Sequence, residues 1–343
     1  MPRPVVRPLL VAWFAAFLVA APALAQAPSS VPLPALGWRD ELTGEPDKLD
    51  VATTVAPISS LARNIGGDRI RLRGIVPDAT NSHTFEPAPS DARVLANADL
   101  IVANGLRLEE PTLGLAEASK RPEARIHRLG DEAITAQEWL FDFSFPESEG
   151  DPNPHLWMNV RYAIEYAQLM RDWFSEADPP NAAYYAANFE RLKANLDDLD
   201  ARIRAVVATV PEANRKLLTY HDSWAYWARE YGFEVIGAVQ ASDFSDPSPQ
   251  DVAGIIDQIR ASGVPAVFGS EVFPSAVLEQ IAAETGVAFI EDLRDDEPPG
   301  AQDSPEHTYM GMLRKDMEIM MDALGGQGSA MFADYPVTDS WRP

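Results

Sequence analysis

The stretch PNAAYYAANFERLKANLDDLDARIRAVVATV, residues 180–210, decides the architecture. Its apolar residues fall at Tyr185, Phe189, Leu192, Leu196, Leu199, Ile203 and Val206, alternating gaps of 4 and 3. That is a sustained helical stripe with no glycine and no proline after Pro180. About 30 residues at ~1.5 Å per residue predict a rod of roughly 45 Å. Such a stripe either forms a coiled-coil seam with a second copy or packs within its own chain as a strut between two bodies. What flanks it favours the strut.

On the N-terminal side, Leu49–Val55 reads as a strand, and Ile58–Ile65 as a helix stopped by Gly66-Gly67. Arg69–Val76 reads as a second strand, Asp91 caps a helix through Ala96, and Leu100–Ala103 is a third strand. The C-terminal side repeats this grammar with strands at Lys216–Tyr220, Phe233–Val239, Ala266–Phe268 and Val287–Ile290. Helices lie between them at Ser223–Tyr231, from Ser248-Pro249 onward, and at Ser275–Glu284. Pro305 opens a last helix to Leu324. Strands alternating with helices predict parallel, doubly wound sheets. The expected fold is therefore α/β: two doubly wound lobes joined by one long helix, with the ligand site in the cleft between them. The boundaries expected are an N-terminal lobe over 49–178, the linking helix over 179–211 and a C-terminal lobe over 212–327. A loosely held lead-in over 26–48 and a tail over 328–343 flank them.

Length and composition agree, since 343 residues with 46% apolar content suit two domains. The formal net charge of −24 argues against nucleic acid or an anionic membrane as partner. With no cysteine, thiolate metal sites, disulfides, a cysteine nucleophile and lipid attachment through an N-terminal Cys are excluded. Residues 1–25 read as a secretory signal: Arg3 and Arg7, a short apolar run from Leu9 to Leu18, then Ala23-Leu24-Ala25. Cleavage after Ala25 predicts a periplasmic protein with no stable membrane anchor, and a monomer.

Only five histidines occur, and three share a setting. His83 follows the second strand, His155 precedes a helix, and His221 directly follows the strand ending at Tyr220. Open α/β sheets place ligand sites at such strand-to-helix transitions. His127 and His307 lie outside these loops and read as structural or exposed. The methionine-rich run Met310, Leu313, Met317, Met320, Met321 and Leu324 has the spacing of a core stripe, not of a copper site.

The segments carrying these histidines are similar to a known family. Val76-Pro77 through His83-Thr84-Phe85-Glu86-Pro87, continuing to Ala98-Asp99-Leu100-Ile101-Val102-Ala103-Asn104-Gly105, resembles the metal-binding solute-binding proteins of ABC transporters. These are the zinc/manganese receptors of cluster A-I. Pro154-His155-Leu156-Trp157 resembles the family's second ligand motif, with Asn153 where an aspartate usually stands. Tyr220-His221-Asp222-Ser223-Trp224 resembles the third, and Pro247-Ser248-Pro249 the next landmark. The likeness covers roughly residues 49–325. It implies His83, His155 and His221 as metal ligands and a carboxylate after the last strand as the fourth. Asp292 aligns best because it precedes Leu293, with Glu291 or Asp295 as substitutes. Glu86 and Asp222 are candidates either to orient the ligands or to cap helices, and Glu271 faces the expected cleft.

Three imidazoles and one carboxylate form a set suited to tetrahedral Zn²⁺, one ion per chain. Imidazole richness favours Zn²⁺ over Mn²⁺, which is the second choice. The family's zinc members often carry a His-rich loop before the second ligand. This chain instead has Glu138, Asp142, Glu147, Glu149 and Asp151 there, read either as a solvated acidic loop or as a cation-gathering flap that helps load the site. The resemblance implies a non-enzymatic receptor that hands metal to a membrane permease with a separate ATPase, taking it free or from a periplasmic metal donor. A manganese receptor of the same family is the first alternative. A zinc hydrolase or an adhesin is the competing class, although no HExxH motif is present.

Overall fold

The computed structural model describes Met1 and residues 37–336, apart from 241, 243, 246, 274 and 275. The expected signal segment lies outside the described residues. Elements run β1 (Leu49–Thr53), α1 (Ala56–Gly66), β2 (Ile70–Gly74), α2 (Pro89–Asn97), β3 (Leu100–Ala103), α3 (Glu110–Ser119), β4 (Arg125–Arg128), α4 (Leu129–Ala133) and α5 (Val160–Ala177). After α6 (Ala182–Val207) come β5 (Lys216–Thr219), α7 (Ala225–Tyr231), β6 (Glu234–Ala238), α8 (Pro249–Ser262), β7 (Ala266–Ser270), α9 (Ala276–Thr285), β8 (Ala288–Leu293), α10 (Tyr309–Ala323) and α11 (Gly328–Phe332).

Two four-stranded parallel sheets result, ordered β2-β1-β3-β4 and β6-β5-β7-β8. The sheets have the same topology, with the strand order reversing beside β1 in one and β5 in the other. In open α/β sheets the crevice at the carboxyl ends of strands around that reversal receives ligands. Every residue of β1 and of β7 is buried, as expected for inner strands covered on both faces.

The linking helix is α6, 26 residues and ~39 Å long, entered through a 3₁₀ turn at Pro179–Asn181. It is shorter than expected because the two prolines at 179 and 180 set a separate turn before the α-helix begins. All seven stripe residues are buried within the chain, in one apolar cluster with α1, α5 and α10. That cluster contains residues of both lobes, whereas smaller clusters fill the outer layer of each lobe. A core shared across the strut opposes wide hinge bending.

Several boundaries move. Asp91 is the third residue of α2 rather than its cap, and its carboxylate accepts the Ala88 N–H at 2.8 Å. The helix expected to open at Pro305 is α10, and it begins four residues later, where the Thr308 side chain accepts the Gly311 N–H at 2.9 Å. Ser248 caps α8 as read, with Pro249 first in the helix. The lead-in is fastened over residues 37–48, where Trp38 and Leu42 are buried, Arg39 bridges to Arg73 and Arg63 pairs with Asp40 at 2.6 Å. The expected tail contains α11, whose Phe332 is fully buried together with the nearby Tyr335. No helix among the described residues is long and apolar enough to cross a membrane.

Candidate metal centre

Three loops bring His83, His155 and His221 together. The loop after β2 carries His83, and the Asn81 side chain accepts its N–H at 2.9 Å. His155 opens a 3₁₀ turn over Leu156–Met158 ahead of α5, whose N-cap is Asn159. His221 stands two residues past β5. The Nε2 of His83 lies 3.2 Å from that of His155 and 3.1 Å from that of His221. Tetrahedral zinc with ~2.05 Å bonds holds its donors ~3.3–3.4 Å apart, so the spacing fits. Cis positions on an octahedral ion with longer bonds fit it as well. His155 and His221 are buried and His83 half-buried.

The Nδ1 atoms of His155 and His221 are held in place. Asn153 Oδ1 accepts both the backbone N–H of His155, at 3.0 Å, and its Nδ1–H, at 2.8 Å. On His221, Nδ1 lies 2.8 Å from Asp295 Oδ2 in a buried ion pair. Such partners fix the tautomer and aim the Nε2 lone pair. Burial, and then the positive charge of His221, push His83 and His155 well below the ordinary imidazole range. For His221, burial also lowers the pKa, but Asp295, Asp296 and Glu271 outweigh it and raise it to about 9. The site thus offers two neutral donors and one proton that an arriving cation must displace.

Asp292 is placed apart from this cluster. It pairs with Arg294 at 2.8 Å, and its side chain is 47% exposed. The reason is strand length, since β8 continues to Leu293 and keeps Asp292 within the strand rather than in the loop beyond it. Glu291 is exposed in the same strand. The acids that do reach the site are Asp295 and Asp296, both buried and grouped with His221 so that their donor atoms lie within 4.8 Å of one another. Asp296 Oδ2 accepts from Ser82 Oγ at 3.1 Å, and its Oδ1 has no hydrogen-bond partner. Their signal in the sequence was an acidic pair immediately past the last strand.

Glu271 organises that loop. Its Oε1 accepts the N–H groups of Asp295, Asp296 and Glu297 at 3.2, 3.1 and 2.8 Å, and burial followed by the two aspartates raises its pKa. Glu86 is exposed and takes no part in the cluster. Asp222 is fully buried, and its Oδ2 accepts the Ser144 N–H at 2.8 Å.

The acidic segment is a strap across the site. Ser144 Oγ donates to the Gln240 carbonyl at 2.7 Å, and Phe145 packs on His83 with ring centroids 5.5 Å apart. Phe244 stacks on His83 at 4.6 Å from the opposite lobe. Asp142 turns inward, where burial and then Asp222 push it up to about 9. Glu138 instead caps the Thr135 turn, and Glu147, Glu149 and Asp151 are exposed. A cavity of about 220 Å³ leads to His83 between Arg107, Phe145, Glu149, Asp151 and Phe244. Its wall includes Leu106 and Arg107, which together with the preceding Gly105 have positive φ of 50°, 66° and 80°. Glu109, accepting from Asn104 N and Gly105 N, supports this strained run.

The two histidines outside the cluster are structural. His307 is buried against Trp38, and His127 stacks on Trp173 at 4.0 Å.

Residues 51–323 match the family described as the ZnuA-type zinc-uptake complex component A, periplasmic. Among relatives, the manganese-binding lipoprotein MntA of Halalkalibacterium halodurans is 26% identical over 289 residues, covering 84% of this chain and 93% of the relative. The iron-binding protein YfeA of Yersinia pestis is 27% identical, covering 81% and 87%. Among solved structures, the periplasmic zinc-binding protein TroA of Treponema pallidum superposes with a TM-score of 0.73 at 26% identity, covering 81% of this chain and 99% of that one.

Proposed function

We propose, from the premise that this chain belongs to the ZnuA family of periplasmic metal-uptake components, that its cargo is Zn²⁺, one ion per chain. It is a metal-binding substrate-binding protein of an ABC transporter, and its relatives are solute-binding proteins rather than enzymes. The identity of the donors carries the zinc reading: three imidazoles converge from two lobes, with His83 Nε2 3.2 and 3.1 Å from those of His155 and His221. Three imidazoles form a donor set that favours zinc over manganese. Asp296 is the fourth donor in this reading: both acids keep a buried, unpartnered Oδ1, but Asp295 is already engaged with His221 Nδ1 through its other oxygen. Glu149 and Asp151, at the mouth, serve loading, whereas Asp142 does not.

A manganese receptor is the second reading. The buried acids Asp295, Asp296 and Glu271 favour it, as do relatives named for manganese. The receptor delivers its ion to a membrane permease with a separate ATPase. It acts as a periplasmic monomer after cleavage behind Ala25, and the sequence has no thiol to carry a lipid.

The test is competition between zinc and manganese on metal-stripped protein, read by native mass spectrometry. One zinc that excess manganese does not displace supports the first reading. Displacement by manganese moves the assignment to the second, and no tight site for either ion removes both.

A further inference from the structure

Asn153 is fully buried and uses all four of its hydrogen-bonding positions. Its Oδ1 accepts twice from His155, and its Nδ2 donates to Asp142 Oδ2 at 2.9 Å and to the Asp222 carbonyl at 2.7 Å. The two acceptors facing Nδ2 dictate which way the amide points. Oδ1 must therefore face the imidazole, which fixes His155 as the Nδ1–H tautomer with its Nε2 lone pair toward the other two rings. The strap supplies one acceptor through Asp142, and the second lobe supplies the other through the residue after His221.

We propose that Asn153 is a positioning residue matched to Asp142, together making His155 a competent metal donor when the strap is seated on the second lobe. The strap is seated by the Ser144 bonds to Asp222 and Gln240, and the Asn153 N–H donates to the Leu140 carbonyl at 2.9 Å. Strap position and ligand tautomer are thus linked through one side chain. The inference rests on the receptor reading of the same site. A carboxylate at 153 would lose both N–H donors and set an oxygen against the buried Asp222 carbonyl with no proton between them. Exchanging the two residues, D142N with N153D, restores a donor between them and keeps an acceptor on His155.

The experiment titrates zinc into metal-stripped wild type, N153D, D142N and D142N/N153D, in competition with a chromophoric chelator. N153D is expected to lose about 10–100-fold in affinity, the usual cost of disturbing a ligand's orienting partner. The exchanged double variant recovers most of that loss. Independently, ¹⁵N spectra of the metal-free wild type give the Nδ1–H form at His155, and N153A raises the Nε2–H population. Wild-type affinity in N153D, a double variant no better than N153D, or an unmoved His155 tautomer in N153A would each overturn the proposal. A wild type that binds no zinc would count against the receptor reading, while the tautomer spectra would still decide the role of Asn153.

Discussion

The two lobes bring different electrostatics to one site. The first supplies His83 and His155, two imidazoles kept neutral by burial and fastened by the side-chain oxygens of Asn81 and Asn153. The second supplies His221, held by a carboxylate and surrounded by Asp295, Asp296 and Glu271. Neutral donors are ready to bind without giving up a proton, whereas the charged side attracts a cation and must exchange a proton for it. The structural counterpart is that the first lobe's ligands sit on long loops braced by the strap. The ligand of the second lobe sits only two residues beyond a strand end.

The largest effect that breaks this division is loss of a donor. His155→Ala and His221→Ala should each weaken zinc by well over the 10–100-fold typical of an orienting residue, measured by chelator competition. Asp295→Asn comes next, at about 10–100-fold, because it removes the charge that aims His221 without removing a histidine. The same variant should lower the pKa of His221, followed by NMR titration of the metal-free protein.

The pH dependence sharpens the comparison further. His221 titrates near 9 in the folded chain against an ordinary value of about 6.5. The stability it gains from its partners is complete below about 6.5 and is lost as pH rises through about 9. The metal-free protein should therefore melt at lower temperature across that window. Zinc affinity should rise about tenfold per pH unit over it, one proton leaving per ion bound. A flat affinity between pH 7 and 9 would mean that His221 carries no proton to displace. The smallest effect belongs to Asp292→Ala, which should leave zinc affinity unchanged because that side chain pairs with Arg294 at the surface.

Much of this was legible in periodicity. The 4-and-3 spacing of residues 180–210 gave the strut, and the alternation of β-rich runs with amphipathic stretches gave both sheets. The three histidines stood out because each sits where a strand gives way to a helix. Asp292 stands apart from the histidines because of the length of one strand: β8 runs three residues beyond the expected Ile290, so the acids of the following loop are Asp295, already a substitute in the sequence reading, and Asp296. The strap was illegible for a different reason. Nothing local marks Asp142 as buried, since what buries it are Asn153 and an aspartate 80 positions further on. The tail was misjudged similarly, Phe332 and Tyr335 being held by contacts with distant helices.

The most direct test of the account is a crystal structure of the zinc-loaded protein with anomalous scattering recorded at the zinc edge. The account predicts one peak ~2.0–2.1 Å from the Nε2 atoms of His83, His155 and His221, with an Asp296 oxygen completing the coordination. A peak seated among Asp295, Asp296 and Glu271 and out of reach of His83 and His155 would contradict it.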